Sequence, residues 1–305
     1  MSTQPQTVTP IPVAGPTTPP AAEAGGKRRD PVSKILIYAL LVALVGLFLG
    51  PIVFIVLNSF KQKFSISSDP FAVPLGDMWA GFSNYITGIQ AQNFFEAILW
   101  SFVITIGSVL IIVFLTAMLA YFIMRVKTWW TSLIYYLLVF SMVIPFQMVM
   151  FPTVKLADAL GLANPVGMMV LYLGFGAGLS VFIFSGFVKS IPLEIEEAAY
   201  IDGCSPLTTY FQVVWPILKP VTITVAILNA MWIWNDYLLP YLVIGLSTRF
   251  KTIPVVVQQF VGSNGNRDMG ALMAMLVLAV VPIIVFYLFA QKHIIEGVVA
   301  GSVKG

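Results

Sequence analysis

Residues 191–220 read IPLEIEEAAYIDGCSPLTTYFQVVWPILKP, a stretch that separates two long apolar runs and carries the tightest acidic cluster in the chain. Pro192 suits the first turn of a helix, and Glu194, Glu196 and Glu197 then fall where the positive end of the helix dipole favours carboxylates. Ile195, Ala198, Ala199 and Ile201 follow, and the paired alanines leave room for another protein's surface to approach the backbone. Gly203, just past Asp202, is placed to take the left-handed conformation that ends a helix, and Ser205 with Pro206 reads as the N-cap and first position of a second helix. That second helix is expected to stop near Pro216. The predicted shape is helix, glycine turn, helix: a docking element with no membrane-spanning capacity of its own.

What surrounds this stretch belongs to a membrane protein. Hydrophobic residues make up 59% of the chain, charged residues 10%, and the mean hydropathy is +0.93, which excludes a soluble enzyme. Six uncharged or nearly uncharged runs, about 35–60, 97–124, 129–154, 159–188, 221–246 and 269–291, are long enough to cross the hydrocarbon, which takes roughly 20 residues. The expectation is an all-α polytopic protein of six transmembrane helices, with the 191–220 loop between the fourth and fifth. Residues 1–33, rich in Pro, Thr, Ala and Gly, read as a disordered tail. The first run is too long for a signal sequence and is read as a retained span. Residues 61–93 form a polar connection with Trp79, Phe82 and Tyr85 placed to lie along the outer interface.

The net charge of +3 comes from lysines and arginines clustered at the ends of apolar runs, a pattern of membrane topology and not of nucleic-acid binding. With the N-terminus inside, ten of them, including Lys27, Arg28, Arg29, Arg125, Lys127 and Lys189, lie on the inner side and six on the outer. The excess places both termini and the 191–220 loop in the cytoplasm. The single cysteine, Cys204, excludes an intramolecular disulfide and reads as a small filler.

Within the spans, three features stand out. Pro145 and Pro152 interrupt the third, which is expected to bend, with Gln147 between them. Gly174, Gly176 and Gly178 lie mid-way along the fourth, where small residues let helices pack closely or leave a deformable segment beside a substrate path. Asp236 interrupts the fifth, within Trp232-Ile233-Trp234-Asn235-Asp236-Tyr237. Counted from Val221 it lies about 23 Å along a helix, in the outer half of the bilayer. A charge there costs at least about 2.5 kcal/mol facing lipid and is expected to face the bundle interior. Aromatic faces beside an amide and a carboxylate suit a polyhydroxylated solute; an aromatic belt, with Asp236 paired to a neighbouring subunit, suits the same residues. There is no phosphate-binding G-x-x-x-x-G-K-[ST] loop, no metal-binding Cys/His cluster and no hydrolase signature, and the one histidine, His293, reads as structural.

Glu197-Ala198-Ala199, three residues, Gly203, nine residues, then Val213-Val214-Trp215-Pro216 resembles the "EAA" loop of binding-protein-dependent ABC importer permeases. It departs from the family pattern at Val213 and at the bulkier Trp215. In that family the loop is cytoplasmic and docks into a cleft on the ATP-hydrolysing subunit, so the resemblance assigns coupling to Glu197, Ala198, Ala199, Asp202, Gly203, Ser205, Pro206 and Pro216. The run Pro145, Gln147, Pro152, the Trp234-Asn235-Asp236-Tyr237 segment and the C-terminal Gln291-Lys292 to Lys304-Gly305 resemble the second permease of maltose and multiple-sugar importers. The resemblance implies a sugar passage shared with a homologous permease. It also implies two ATP-binding subunits that hold ATP and Mg, an extracellular solute-binding protein, no cofactor on this chain, and the cytoplasmic membrane of a bacterium or archaeon. A secondary transporter that uses Asp236 for proton or cation coupling is the rival reading.

Overall fold

The computed structural model describes residues 31–91, 93–245, 248–261 and 268–302. The tail with Lys27, Arg28 and Arg29, Leu246 at the end of the expected fifth span, Arg267, and residues 303–305 lie outside the described residues. The chain divides into two compact units after Gly50. The first contributes the N-terminal part of α1 (Pro31–Ser59), an apolar helix whose backbone groups are satisfied within the segment, as hydrocarbon requires.

The second unit opens with a polar clasp. Beyond α1 come α2 (Lys63–Ser68), a 3₁₀ turn at Gly76–Met78 and α3 (Ser83–Ala91). Lys61 is fully buried, and its Nζ donates to the carbonyls of Asp69 at 2.8 Å and Pro70 at 3.0 Å. Asn84 donates to the carbonyls of Ser59 and Lys61, both at 2.9 Å, which binds α3 to the end of α1. Phe60 stacks on Trp79 at 5.2 Å and meets Phe82 and Tyr85 edge-on or tilted, so these aromatics form one packed cluster.

The centre of the unit is the pair α4 (Phe94–Arg125) and α7 (Pro165–Val188). They bury Val113, Ala117, Ala120 and Ile123 against Val181, Phe184 and Val188. Between them, α5 (Trp129–Ser141) and α6 (Phe146–Ala159) are bent by 109°. The bend expected in the third span, 129–154, is thus present and divides it into two helices. Pro145, which lacks an N–H and is itself extended (φ −62°, ψ 136°), breaks it into two pieces too short to cross alone. The next helix begins at Pro165 and not near 159, because Asn164 caps it by accepting from Gly167 N at 2.9 Å. Among the described residues, five helices are long and apolar enough to cross a membrane, or six if the bent pair counts as one.

After α7 come α8 (Leu193–Ile201), α9 (Pro206–Thr209), a π-helical turn at Tyr210–Val214 and α10 (Trp215–Asn235). The expected stop near Pro216 is absent. Pro216 follows directly on the π-turn, whose wider spacing accommodates the missing N–H, and the helix runs from Pro206 to Asn235. The loop's second helix thus runs on into the fifth span. That span ends earlier than the expected 246: at Asp236 the backbone is extended (φ −72°, ψ 122°), and α11 (Leu238–Pro240) and a second π-turn, Tyr241–Gly245, follow. α12 (Ile253–Gln259) is held by Ser101 Oγ, which accepts from Ile253 N at 2.8 Å, and α13 (Met269–Ser302) packs on α3 and α10.

Candidate functional site

The loop turns as local chemistry dictates. Gly203 has φ +83°; its N–H donates to Tyr200 O and the next N–H, of Cys204, to Ala199 O, both at 3.0 Å, closing a double-bonded helix end. Ser205 Oγ accepts from Thr208 N at 3.2 Å, and Pro206 starts α9. Glu197, Ala198, Asp202, Gly203, Ser205 and Pro206 are exposed together with Ile201 at 86% and Leu207 at 64%, a mixed apolar and acidic surface around the turn. Ala199 points inward. Pro216 is separated from this surface by the π-turn.

Beneath the surface the loop is seated on the core. Ile191, Tyr210, Val214 and Leu218 pack with the α4 and α7 residues named above. Glu196 is 3% exposed, and its carboxylate receives Tyr121 Oη at 2.8 Å, Arg125 Nε at 2.8 Å and Arg125 Nη2 at 2.7 Å. Arg125 Nη2 also donates to Ile191 O at 3.1 Å. Sequence reasoning counted Arg125 for topology alone and Glu196 for the helix dipole alone. A cation ending one apolar run and an acid opening the next inner loop was the available signal.

The second candidate cluster splits. Asp236 Oδ2 accepts from Tyr172 Oη at 3.0 Å and Oδ1 from Leu238 N at 3.0 Å, so the carboxylate turns the chain out of α10 and ties it to α7. Trp232 meets the fully buried Tyr172 edge-on at 5.5 Å. Trp234 packs instead on Phe102 of α4 at 4.8 Å, and Asn235 folds back to donate to Met231 O at 2.7 Å. Tyr237 stacks on Tyr241 at 5.0 Å. An apolar cavity of about 440 Å³ between α4, α10 and α13 is lined by Trp234 and Asn235 with Phe102, Pro282 and Phe286, and a neighbouring one of about 360 Å³ adds Tyr237. Gln147 and Gly174 are exposed. A Cβ on Gly176 would lie 2.7 Å from Asn229 Oδ1 and 2.9 Å from Ile112 Cδ1, and one on Gly178 2.6 Å from Leu138 O, whereas Gly174 has nothing within 4 Å. Close packing therefore explains two of the three glycines. Tyr172, the partner of Asp236, was missed; a tyrosine in an apolar run carries no signal of its own.

Residues 112–299 match the family described as binding-protein-dependent transport system inner membrane component. The chain is 38% identical over 277 residues to the probable starch degradation products transport system permease protein AmyC of Thermoanaerobacterium thermosulfurigenes, covering 91% of this chain and 99% of the relative. It is 33% identical over 281 residues to the multiple sugar-binding transport system permease protein MsmG of Streptococcus mutans, covering 91% and 100%. In fold it is similar to a chain of a bacterial ABC transporter involved in the import of the acidic polysaccharide alginate, with a TM-score of 0.74 and 20% identity over 87% of this chain and 97% of that one.

Proposed function

Because the chain belongs to the family of inner membrane components of binding-protein-dependent transport systems, we propose that it is one of two homologous permeases forming the passage of an ATP-driven importer for a sugar or oligosaccharide. The sugar class is supported by relatives named for starch degradation products and multiple sugars. Two ATP-binding subunits holding ATP and Mg supply the energy, and an extracellular solute-binding protein delivers the sugar. The termini and the 191–220 loop face the cytoplasm, the side with the excess of lysine and arginine.

The observation that carries this reading is the exposed surface of α8, the Gly203 turn and α9, mounted on the α4–α7 core by buried contacts. Glu197, Ala198 and Asp202 offer docking groups, Gly203 the turn, and Ser205 and Pro206 the start of the helix that continues through Pro216 into the membrane. Closure of the ATPase pair pushes this surface and rocks the spans between outward-open and inward-open states. On the substrate path, Trp234, Asn235 and Tyr237 supply ring faces and an amide, and Trp232 and Asp236 define the end of α10 beside it. Gln147 on α6 and the segment Gly174 to Gly178 on α7 are assigned to the same path. The rival use of Asp236 as a proton or cation site gains no support from its position: both oxygens accept hydrogen bonds that set the chain's direction.

The test is purification of the tagged chain from native membranes in mild detergent. An ATPase and a second permease are expected with it, hydrolysing ATP faster when sugar-loaded binding protein is added. A solitary chain, or a homodimer whose uptake follows a proton or sodium gradient, overturns the reading.

A further inference from the structure

We infer that Glu196, Arg125 and Tyr121 form a strut through which the loop drives α4, positioning the loop and not simply stabilising it; this rests on the importer reading above. Glu194 and Glu197 face outward, but Glu196 is turned inward onto the last turn of α4. Tyr121 and Arg125, four residues apart, lie on one face of α4 and give one carboxylate a hydrogen bond on each oxygen, with the Arg125 guanidinium ion-paired to it at 2.7 Å. A third hydrogen bond, from Arg125 Nη2 to Ile191 O, catches the chain two residues before α8 begins. The Tyr121 ring also packs on Tyr210 at 5.1 Å, so the same turn of α4 touches both ends of the loop.

Stability alone is a poor account of this arrangement. Well-packed apolar residues of similar volume often replace a buried ion pair at no cost or with a gain. What directional, charge-assisted bonds add is orientation: they hold α8 at one angle to α4. The junction of the loop with α10 is built in the opposite way. It passes through the π-turn at Tyr210–Val214, and the Thr209 and Tyr210 hydroxyls are buried there without a hydrogen-bond partner among the described residues. π-turns are rare inside helices and frequently lie at functional sites. A push on α8 is therefore delivered rigidly to α4, and through it to α7.

The experiment places spin labels at Glu194→Cys on α8 and Leu99→Cys on α4, in a Cys204→Ser background, and measures their separation in the complex with the ATP-binding subunits. With the strut intact the distance distribution stays narrow and unshifted when ATP is added. In the Arg125→Met/Glu196→Met double variant the complex still forms, but the distribution broadens and shifts with ATP. Tyr121→Phe, which removes one bond without changing packing, shows a smaller broadening. If the Met pair impairs folding, the charge-swapped Arg125→Glu/Glu196→Arg variant is expected to restore the narrow distribution that Glu196→Gln loses. An ATP-independent, narrow distribution in the Met pair or in Glu196→Gln overturns the strut. A wild-type chain that binds no ATP-binding subunit overturns the importer reading, and the strut with it.

Discussion

At Gly203 a single backbone angle decides the shape of the exposed surface. Its φ of +83° lies in the left-handed region, and a Cβ there would meet nothing within 4 Å, so the restriction is conformational and not one of space. A β-branched residue adds about 1–2 kcal/mol of backbone strain in that conformation, whereas asparagine tolerates it. Gly203→Val is expected to insert normally yet lose most of its bound ATPase and uptake, and Gly203→Asn to keep them; ATPase retained on the tagged chain measures both. Normal retention by Gly203→Val would mean that the turn does not shape the docking surface. Asp236 makes the complementary point. A lone carboxylate in an apolar run invites a functional reading, yet here its oxygens end one helix and lean on Tyr172.

At the scale of elements, the glycines of α7 separate packing from deformability. Gly176 lies where α4, α7 and α10 converge, beside Ile112 and Asn229, whose amide donates to Ser180 Oγ at 3.0 Å. Gly176→Ala is expected to cost about 1–3 kcal/mol through overpacking. Gly174→Ala, in open space, is expected to be neutral or to gain up to about 1 kcal/mol from helix propensity. Thermal unfolding of the two variants in detergent tests the contrast: a lower transition for the first only. Equal transitions would show that the α4–α7 contact is looser than its geometry indicates. The bent pair α5 and α6 and the fused α9–α10 helix are the other element-scale findings. Both turn on proline, which breaks the chain at Pro145 and is absorbed at Pro216 because a π-turn precedes it.

For the whole molecule, the orientation can be read from the only cysteine in the chain. Cys204 is partly exposed beside Gly203. A membrane-impermeant maleimide is expected to label it in inside-out vesicles and not in intact cells, with labelling suppressed when the ATP-binding subunits are present. Labelling of intact cells would invert the proposed topology. The sequence alone determined the helical class, membership of the membrane, and the glycine turn with its capped second helix. Each depends on groups only a few residues apart: apolar runs that satisfy their own backbone, a glycine free to turn left-handed, and a serine that caps its neighbour's amides. The tertiary structure alone decided that Glu196 meets Arg125 and Tyr121, that Asp236 meets Tyr172 while Trp232 and Trp234 part company, and that Gly176 and Gly178 are tight where Gly174 is free. Those pairings join residues on different helices, and they are set by how each helix is rotated and how it crosses its neighbours, which local spacing does not encode.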